Sequence, residues 1–173
     1  ETKNIVDFVG LSAIAPGVNV AKNEGFKTVI TIRGVGYETN QNAIATPSVS
    51  YHLDGIYIAS PYSLQTEFMD LERIEVLRGP QGTLFGQNST GGAINVITAA
   101  PSLEESSSYG DITVGDYSLI KTRASFNRPL SETVAVRASF ITHKRDGFTD
   151  NLSTGQDLDD ADSISARIRF LYQ

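Results

Sequence analysis

An α+β domain over residues 1–101, followed by antiparallel β-strands over 109–173, is the fold class this sequence predicts. Three observations carry it. Strand-like runs and short helical segments interleave through the first part, around a small mixed sheet. A glycine-rich bend at 78–86 turns the backbone repeatedly in little space between apolar runs. After a polar hinge at 102–108, apolar and polar residues alternate with period two through four segments.

Residues 4–13 read as a short helix, with Ile5, Phe8, Val9 and Ser12 near one face, ended by Pro16-Gly17. Strands follow at 18–21 and 28–33. Val29-Ile30-Thr31-Ile32 is almost continuously apolar, as in a sheet covered on both sides. Residues 34–47 form a polar loop, 50–59 a strand and 60–66 a second exposed loop with Pro61 and Tyr62. One helical turn is expected at 67–71. Strands at 73–77 and 93–98 complete the sheet.

Composition narrows the classes. The chain has 173 residues, 40% of them hydrophobic, enough for a packed core. Fourteen Lys and Arg against 20 Asp and Glu give a net charge of -6, which argues against a nucleic-acid partner. Without cysteine, zinc–thiolate sites and disulfides are excluded. No apolar run is long enough for a membrane helix, although a membrane barrel passes that test because its strands alternate.

The alternation in the second part is regular. Ile112 and Val114 oppose Asp111 and Thr113. Thr122, Ala124 and Phe126 oppose Lys121, Arg123, Ser125 and Asn127. Val134, Val136, Ala138 and Phe140 oppose Ala135, Arg137 and Ser139. Ile164, Ala166, Ile168, Phe170 and Tyr172 oppose Ser165, Arg167 and Arg169. In a soluble sheet the apolar face covers a core; in an outer-membrane barrel it meets lipid while the charged face lines a wet lumen. The connections are a tight link at 116–118, a short turn at 129–132 and a long acidic segment at 146–162. With the first part of the chain at the periplasmic end of strand one, the first and third connections are extracellular and the second periplasmic, and short periplasmic turns with longer outer loops are what barrels show.

Asp54-Gly55 after an alternating strand, the run LERIEVLRGPQGTLFG at 71–86, the segment GGAINVIT at 91–98 and the earlier Ile32-Arg33-Gly34 resemble the plug domain of TonB-dependent outer-membrane receptors. The resemblance spans residues 3–101 in order. It implies an α+β plug seated in a transmembrane β-barrel in the outer membrane of a Gram-negative bacterium. It also implies active import of a scarce solute, most often a ferric siderophore, with a TonB energy-coupling protein as periplasmic partner and outer-membrane lipid around the barrel. No cofactor and no enzymatic activity are expected, and no nucleophile–base–acid set assembles. Four strands cannot close a barrel of about 22 strands, and open edges do not persist in lipid. The barrel is therefore expected to be incomplete in this chain. No energy-coupling box is found, and the first residue is Glu1 rather than Met, so a processed or partial chain is expected. Two rivals stand beside the transporter: a signalling receptor of the same build with an extra periplasmic domain, and a soluble β-rich binding protein.

Arg33 and Arg78 each precede glycine at the end of an apolar strand. They are either strand-end residues reaching to water or, as the resemblance implies, the plug side of a charge latch with barrel carboxylates, in which Glu75 is included. A guanidinium suits such a latch because its fork binds a carboxylate bidentately and stays charged. Glu72 and Glu75 are competing local partners. Tyr37, Glu38, Asn40 and Gln41 of the first loop, with Ser60 and Tyr62 of the second, are candidate ligand contacts at the plug apex; the alternative is ordinary solvated loops. Lys121, Arg123, Arg137, Arg167 and Arg169 would make the lumen wall basic, to attract anionic solutes or to pair with plug carboxylates. Gly79-Pro80-Gln81-Gly82 lacks the Gly-Lys-Ser/Thr of a phosphate loop. The aspartates at 157, 159, 160 and 162 lack the EF-hand pattern, so no metal site is expected. His52 and His143 are read as structural.

Overall fold

The computed structural model describes residues 9–23, 27–36, 47–59, 68–151, 155 and 157–173. The chain divides into two units, Glu1–Ala99 and Ala100–Gln173. Ser107 and Ser108, within the expected hinge, already belong to a strand.

The first unit holds two sheets rather than the single one expected. β1 (Val18–Asn23), β2 (Lys27–Ile32) and β3 (Val35–Gly36) form an antiparallel meander. Arg33 and Gly34 turn β2 into β3, with φ of 53° and 78°. Two consecutive positive φ values mark the primed turn that matches strand twist. β4 (Val49–Leu53), β5 (Ile56–Tyr57), β6 (Leu71–Arg78) and β7 (Gly92–Thr98) make a second sheet in the order β5-β4-β7-β6. It is mixed: β4 and β7 run parallel, while β5 and β6 are antiparallel to their neighbours.

Three sequence expectations are corrected. The strand expected at 50–59 is a hairpin, folded at Asp54 and Gly55 with φ of 50° and 79°. Residues 68–71 are not helical: Asp70 has φ 55°, and Leu71 pairs with Thr98 at the start of β6. The described part of the expected N-terminal helix, Val9–Ala13, is a 3-10 turn. A four-residue helix, α1 (Gly82–Phe85), instead lies within the glycine-rich bend. Among the described residues, helix is therefore scarce.

The continuous apolar run behaves as its composition requires. Thr28, Val29, Ile30, Thr31 and Ile32 are all buried. Val18, Val20, Ile30 and Ile32 of the first sheet share one core with Val49, Tyr51, Ile94 and Val96 of the second, closed by Leu11 from the 3-10 turn and by Phe68. Gly92 permits the close approach. It has φ 148°, and a Cβ there would lie 2.4 Å from the Leu77 carbonyl oxygen and 2.8 Å from Ile32 Cδ1.

The second unit is one antiparallel sheet of β8 (Ser107–Gly115), β9 (Leu119–Pro129), β10 (Val134–Arg145) and β13 (Ala161–Tyr172), in the order β13-β10-β9-β8. The long acidic connection carries a small hairpin, β11 (Thr149–Asp150) with β12 (Asp157–Leu158). Arg145 fixes it: Nη2 donates to the Asp159 carbonyl at 2.9 Å, and the guanidinium lies 4.8 Å above the Phe148 ring. Asn127 ties residues 102–105 to β9, accepting from the Ser102 amide and donating to the Ser102 and Glu105 carbonyls.

This sheet is inverted relative to a soluble one. On β9 and β10 the buried residues Lys121, Ser125, Asn127, Ala135, Ser139 and Ile141 all lie on the mainly polar face. The apolar face is exposed: Phe126 at 52%, Ile164 at 77%, Ile168 at 65% and Phe170 at 73%. Cross-strand register aligns Phe126, Ala138 and Ile168 in one row, and Ala124, Phe140 and Ala166 in the next.

Candidate functional site

The latch candidates sit at turns and an edge of the first unit. Arg33 occupies the first central position of the β2–β3 turn, exposed, with its amide donating to the Gly17 carbonyl at 2.7 Å. A side chain there costs about 1 kcal/mol relative to glycine, because Cβ crowds the carbonyl in the left-handed region. Arg78 ends β6, also exposed, opposite Gly92. Among the described residues neither guanidinium has an ion-pair partner.

Glu72 and Glu75 do not compete for Arg78. Both bind Arg73: Glu75 through Arg73 Nε at 2.8 Å, Glu72 through Nη1. Asn95 Nδ2 also donates to Glu75 at 3.1 Å. These bonds hold the Glu75 carboxyl below the usual carboxylate range, Arg73 first and Asn95 second. Arg73 and Glu75 lie two apart on one strand and share a face, so the pairing was available to a period-two reading that passed it over. Tyr37, Glu38, Asn40, Gln41, Ser60 and Tyr62 lie outside the described residues.

The face of the β4–β7 sheet turned from the core carries a polar row that sequence reasoning missed. Tyr57, His52, Asn95 and Glu75 stand in register across β5, β4, β7 and β6. His52 is buried. Its Nε2 lies 3.3 Å from Ser50 Oγ, and its ring packs edge-on against Phe85 of α1 at 4.8 Å and tilted against Tyr57 at 5.5 Å. Asn88 Nδ2 donates to Tyr57 Oη at 2.7 Å, and Ser89 Oγ donates to the Gly86 carbonyl. Phe85 of the glycine-rich bend and Asn88 just after it thus cover this hairpin. The signal in the sequence was Ser50 and His52 alternating with Val49, Tyr51 and Leu53. Only the parallel pairing with β7, forty residues on, shows what they face.

Burial lowers the His52 pKa below its ordinary value, opposed by a backbone hydrogen bond at Gly55. A folded-state pKa below the unfolded one favours the neutral ring, so the unfolded chain binds more protons as pH falls. His52 therefore contributes full stability above about pH 6.5, and that contribution declines as pH drops below it. Denaturant unfolding of His52→Gln between pH 7 and pH 5 is expected to show a shallower loss of stability than the native chain. Equal slopes would exclude His52 as the source.

On the second unit's polar face, Arg123 Nε bonds both oxygens of Asp111, at 2.9 and 3.2 Å. Arg137 stands directly opposite Arg169, and Arg167 opposite Ser139. Among the described residues no group of three or more acidic or histidine side chains could hold a metal ion.

A family model described as TonB-dependent Receptor Plug Domain matches residues 2–93. Of curated relatives, the pesticin receptor of Yersinia enterocolitica is 33% identical over 85% of this chain and 21% of its own length. The ferric enterobactin receptor PirA of Pseudomonas aeruginosa is 27% identical over 88% of this chain and 23% of its own. The crystal structure of the ferric yersiniabactin uptake receptor FyuA from Yersinia pestis superposes with a TM-score of 0.80 at 25% identity, over 96% of this chain and 26% of that one. The chain thus spans about a fifth to a quarter of the length of these relatives.

Proposed function

Because the chain belongs to the TonB-dependent receptor plug family, we propose that it is the plug and opening barrel wall of an outer-membrane importer of a ferric siderophore. Residues 1–101 act as the gate, 102–106 as the connection, and 107–173 carry the first four transmembrane strands. The observation that carries the reading is the inverted second sheet, whose large apolar side chains face outward while its polar face is the more buried. An exposed apolar ladder of this extent is costly in water at about 25 cal/mol per Å². In a bilayer the same ladder is the favourable arrangement. A soluble β-rich binding protein would bury it.

Names among the relatives support the solute class: one is a receptor for ferric enterobactin, another for ferric yersiniabactin. In this reading the protein binds and gates, without catalysis. Solute docks on outer loops and on the plug apex, including the loops that carry Tyr37, Glu38, Asn40, Gln41, Ser60 and Tyr62. A TonB protein then pulls the plug from the periplasm. Arg33 and Arg78 pair with carboxylates on barrel strands outside this chain and hold the plug until it is pulled. Glu75, already bonded to Arg73 and Asn95, steadies the strand that presents Arg78.

Uptake of iron-labelled siderophores by cells carrying or lacking the full-length receptor tests the function. Loss of uptake of at least one ferric chelate on deletion is expected; unchanged uptake across a panel of chelates would refute it. For the latch, Arg78→Ala is expected to reduce uptake about tenfold while solute binding stays within about twofold, since a charge-assisted pair is worth about 1.5–3 kcal/mol. Equal loss of both would remove the latch.

A further inference from the structure

We propose that β10 floors a lipid-binding groove on the apolar face of the second sheet. In it a phospholipid of the periplasmic leaflet lays one acyl chain along Val134, Val136 and Ala138 and sets its phosphate on Arg128. The inference rests on the receptor reading above and deepens it, from a face that meets bulk lipid to a site that holds one molecule.

The groove follows from strand register. Val136 lies between Arg128 on β9 and Phe170 on β13, and Ala138 lies between Phe126 and Ile168. One row nearer the β9–β10 turn, Val134 lies beside Tyr172. In each row the side chain on β10 is the shorter and is partly buried, while those beside it are long and exposed. Residues two apart on a strand share a face, so the floor is continuous. The next row reverses the pattern: Phe140 stands between Ala124 and Ala166 and stops the groove.

The dimensions match one leaflet. Val134 to Phe140 spans about 20 Å along the strand and about 15 Å of depth at a tilt of about 40°, half of a hydrocarbon core of about 30 Å. Charge marks the end at which the headgroup sits. At the far end of the same face Lys144 is in register with Asp162, a cation already faced by a carboxylate. Arg128 has Val136 and then Phe170 along its row, and β8 starts opposite Asn127 without reaching it. Glu105 and Glu132, the carboxylates nearest along the chain, belong to connections rather than strands. A guanidinium fork matches phosphate oxygens, and its long stem runs over apolar surface to headgroup level. Tyr172, in the end row, is an amphipathic ring suited to the same depth. A free anion would gain nothing from the groove and an uncharged lipid nothing from Arg128, so the fit is to a phospholipid.

The test uses full-length receptor purified in mild detergent and titrated with phosphatidylglycerol that carries a photoactivatable group midway along one acyl chain. Peptide mapping is expected to place the label at Val136 and Ala138, saturating at a single lipid per receptor, with little at Thr142 beyond Phe140. Arg128→Gln is expected to raise the lipid concentration for half-saturation about tenfold, the loss of one charge-assisted pair. Arg128→Lys is expected to restore much of the affinity. Ala138→Phe, which keeps the face apolar but fills the floor, is expected to abolish saturable labelling in an assembled receptor. It serves as the second variant should Arg128→Gln fail to assemble. Label spread evenly over the apolar face without saturating would mean lipid that merely coats it. Saturable label unchanged in Arg128→Gln would mean no phosphate contact. Either result overturns the proposal while leaving the receptor reading in place. Label on the polar face, at Ser125 or Ser139, would strike the receptor reading as well, so the two failures are distinguishable.

Discussion

Replacing Gly92 with alanine is expected to destabilise the first unit by about 3–5 kcal/mol, the sum of backbone strain and overpacking. Gly92 lies where β7 meets both β4 and β6, opposite Val49 on one side and Arg78 on the other. Its φ of 148° is one that L side chains rarely adopt, and the added methyl would sit 2.4 Å from the Leu77 carbonyl oxygen. That oxygen is backbone in the neighbouring strand and cannot swing aside. The second obstacle, Ile32 Cδ1 at 2.8 Å, belongs to a side chain only 1% exposed. Relief would have to come from separating the two sheets that share the core. Gly86 is the control: it has φ 73° with nothing within 4 Å of a built Cβ. Gly86→Ala is expected to cost about 1 kcal/mol from backbone conformation alone. Hydrogen exchange at the Ile94 and Val96 amides, with denaturant unfolding of the chain, measures both. Equal effects at the two glycines would show that the close approach does not hold the sheets together.

Ile168→Arg is expected to impair assembly in a bilayer by about 2–4 kcal/mol while leaving the chain unaffected in water. The side chain is 65% exposed near the middle of β13, in the row with Ala138 and Phe126. A charge at such a site costs almost nothing against solvent, within about 0.5 kcal/mol. On the lipid side of a barrel the cost is about 2–4 kcal/mol at mid-depth. Ser165→Arg, on the opposite face of the same strand, is expected to be tolerated. Yield of folded receptor in outer membranes, read by heat-modifiable mobility, gives both values. Similar yields for the two variants would contradict the assignment of faces.

Much of this architecture was legible because strand alternation is local. Each strand of the second unit announced both faces in its own residues, and pairing only aligned them. Val29–Ile32 announced burial on both sides by its nearly continuous apolar run. What failed depended on competition between signals. Asp54-Gly55 is a strong hairpin dipeptide, but Ile56-Tyr57-Ile58 continue the apolar run, and periodicity read through the turn as if it were strand. The helical turn expected at 67–71 yielded to tertiary pairing, since Leu71 and Arg73 already run alongside Thr98 and Ile97. α1 was hidden because one turn of helix, Gly82–Phe85, has no periodicity to detect and sits among glycines.

The candidate site was less legible for a similar reason. Arg33 was read as a strand end and is a turn residue at positive φ. Its exposure follows from the turn, which no strand pattern specifies. Glu75 was grouped with the distant arginines although a partner, Arg73, was two residues away. The Tyr57–His52–Asn95–Glu75 row joins four strands whose order departs from sequence order. Crossover topology of that kind is set by which strands bury the most surface together, not by any residue in the row.

Site-directed spin labels along β9 and β10 of the full-length receptor in lipid bilayers test the central claim most directly. With oxygen and a water-soluble nickel chelate as relaxers, labels at Phe126, Ala138 and Phe140 are predicted to favour oxygen. Labels at Ser125, Asn127 and Ser139 are predicted to show no such lipid signature. Water access at Phe126 and Phe140, or their enclosure in a protein interior out of reach of both relaxers, would contradict the account.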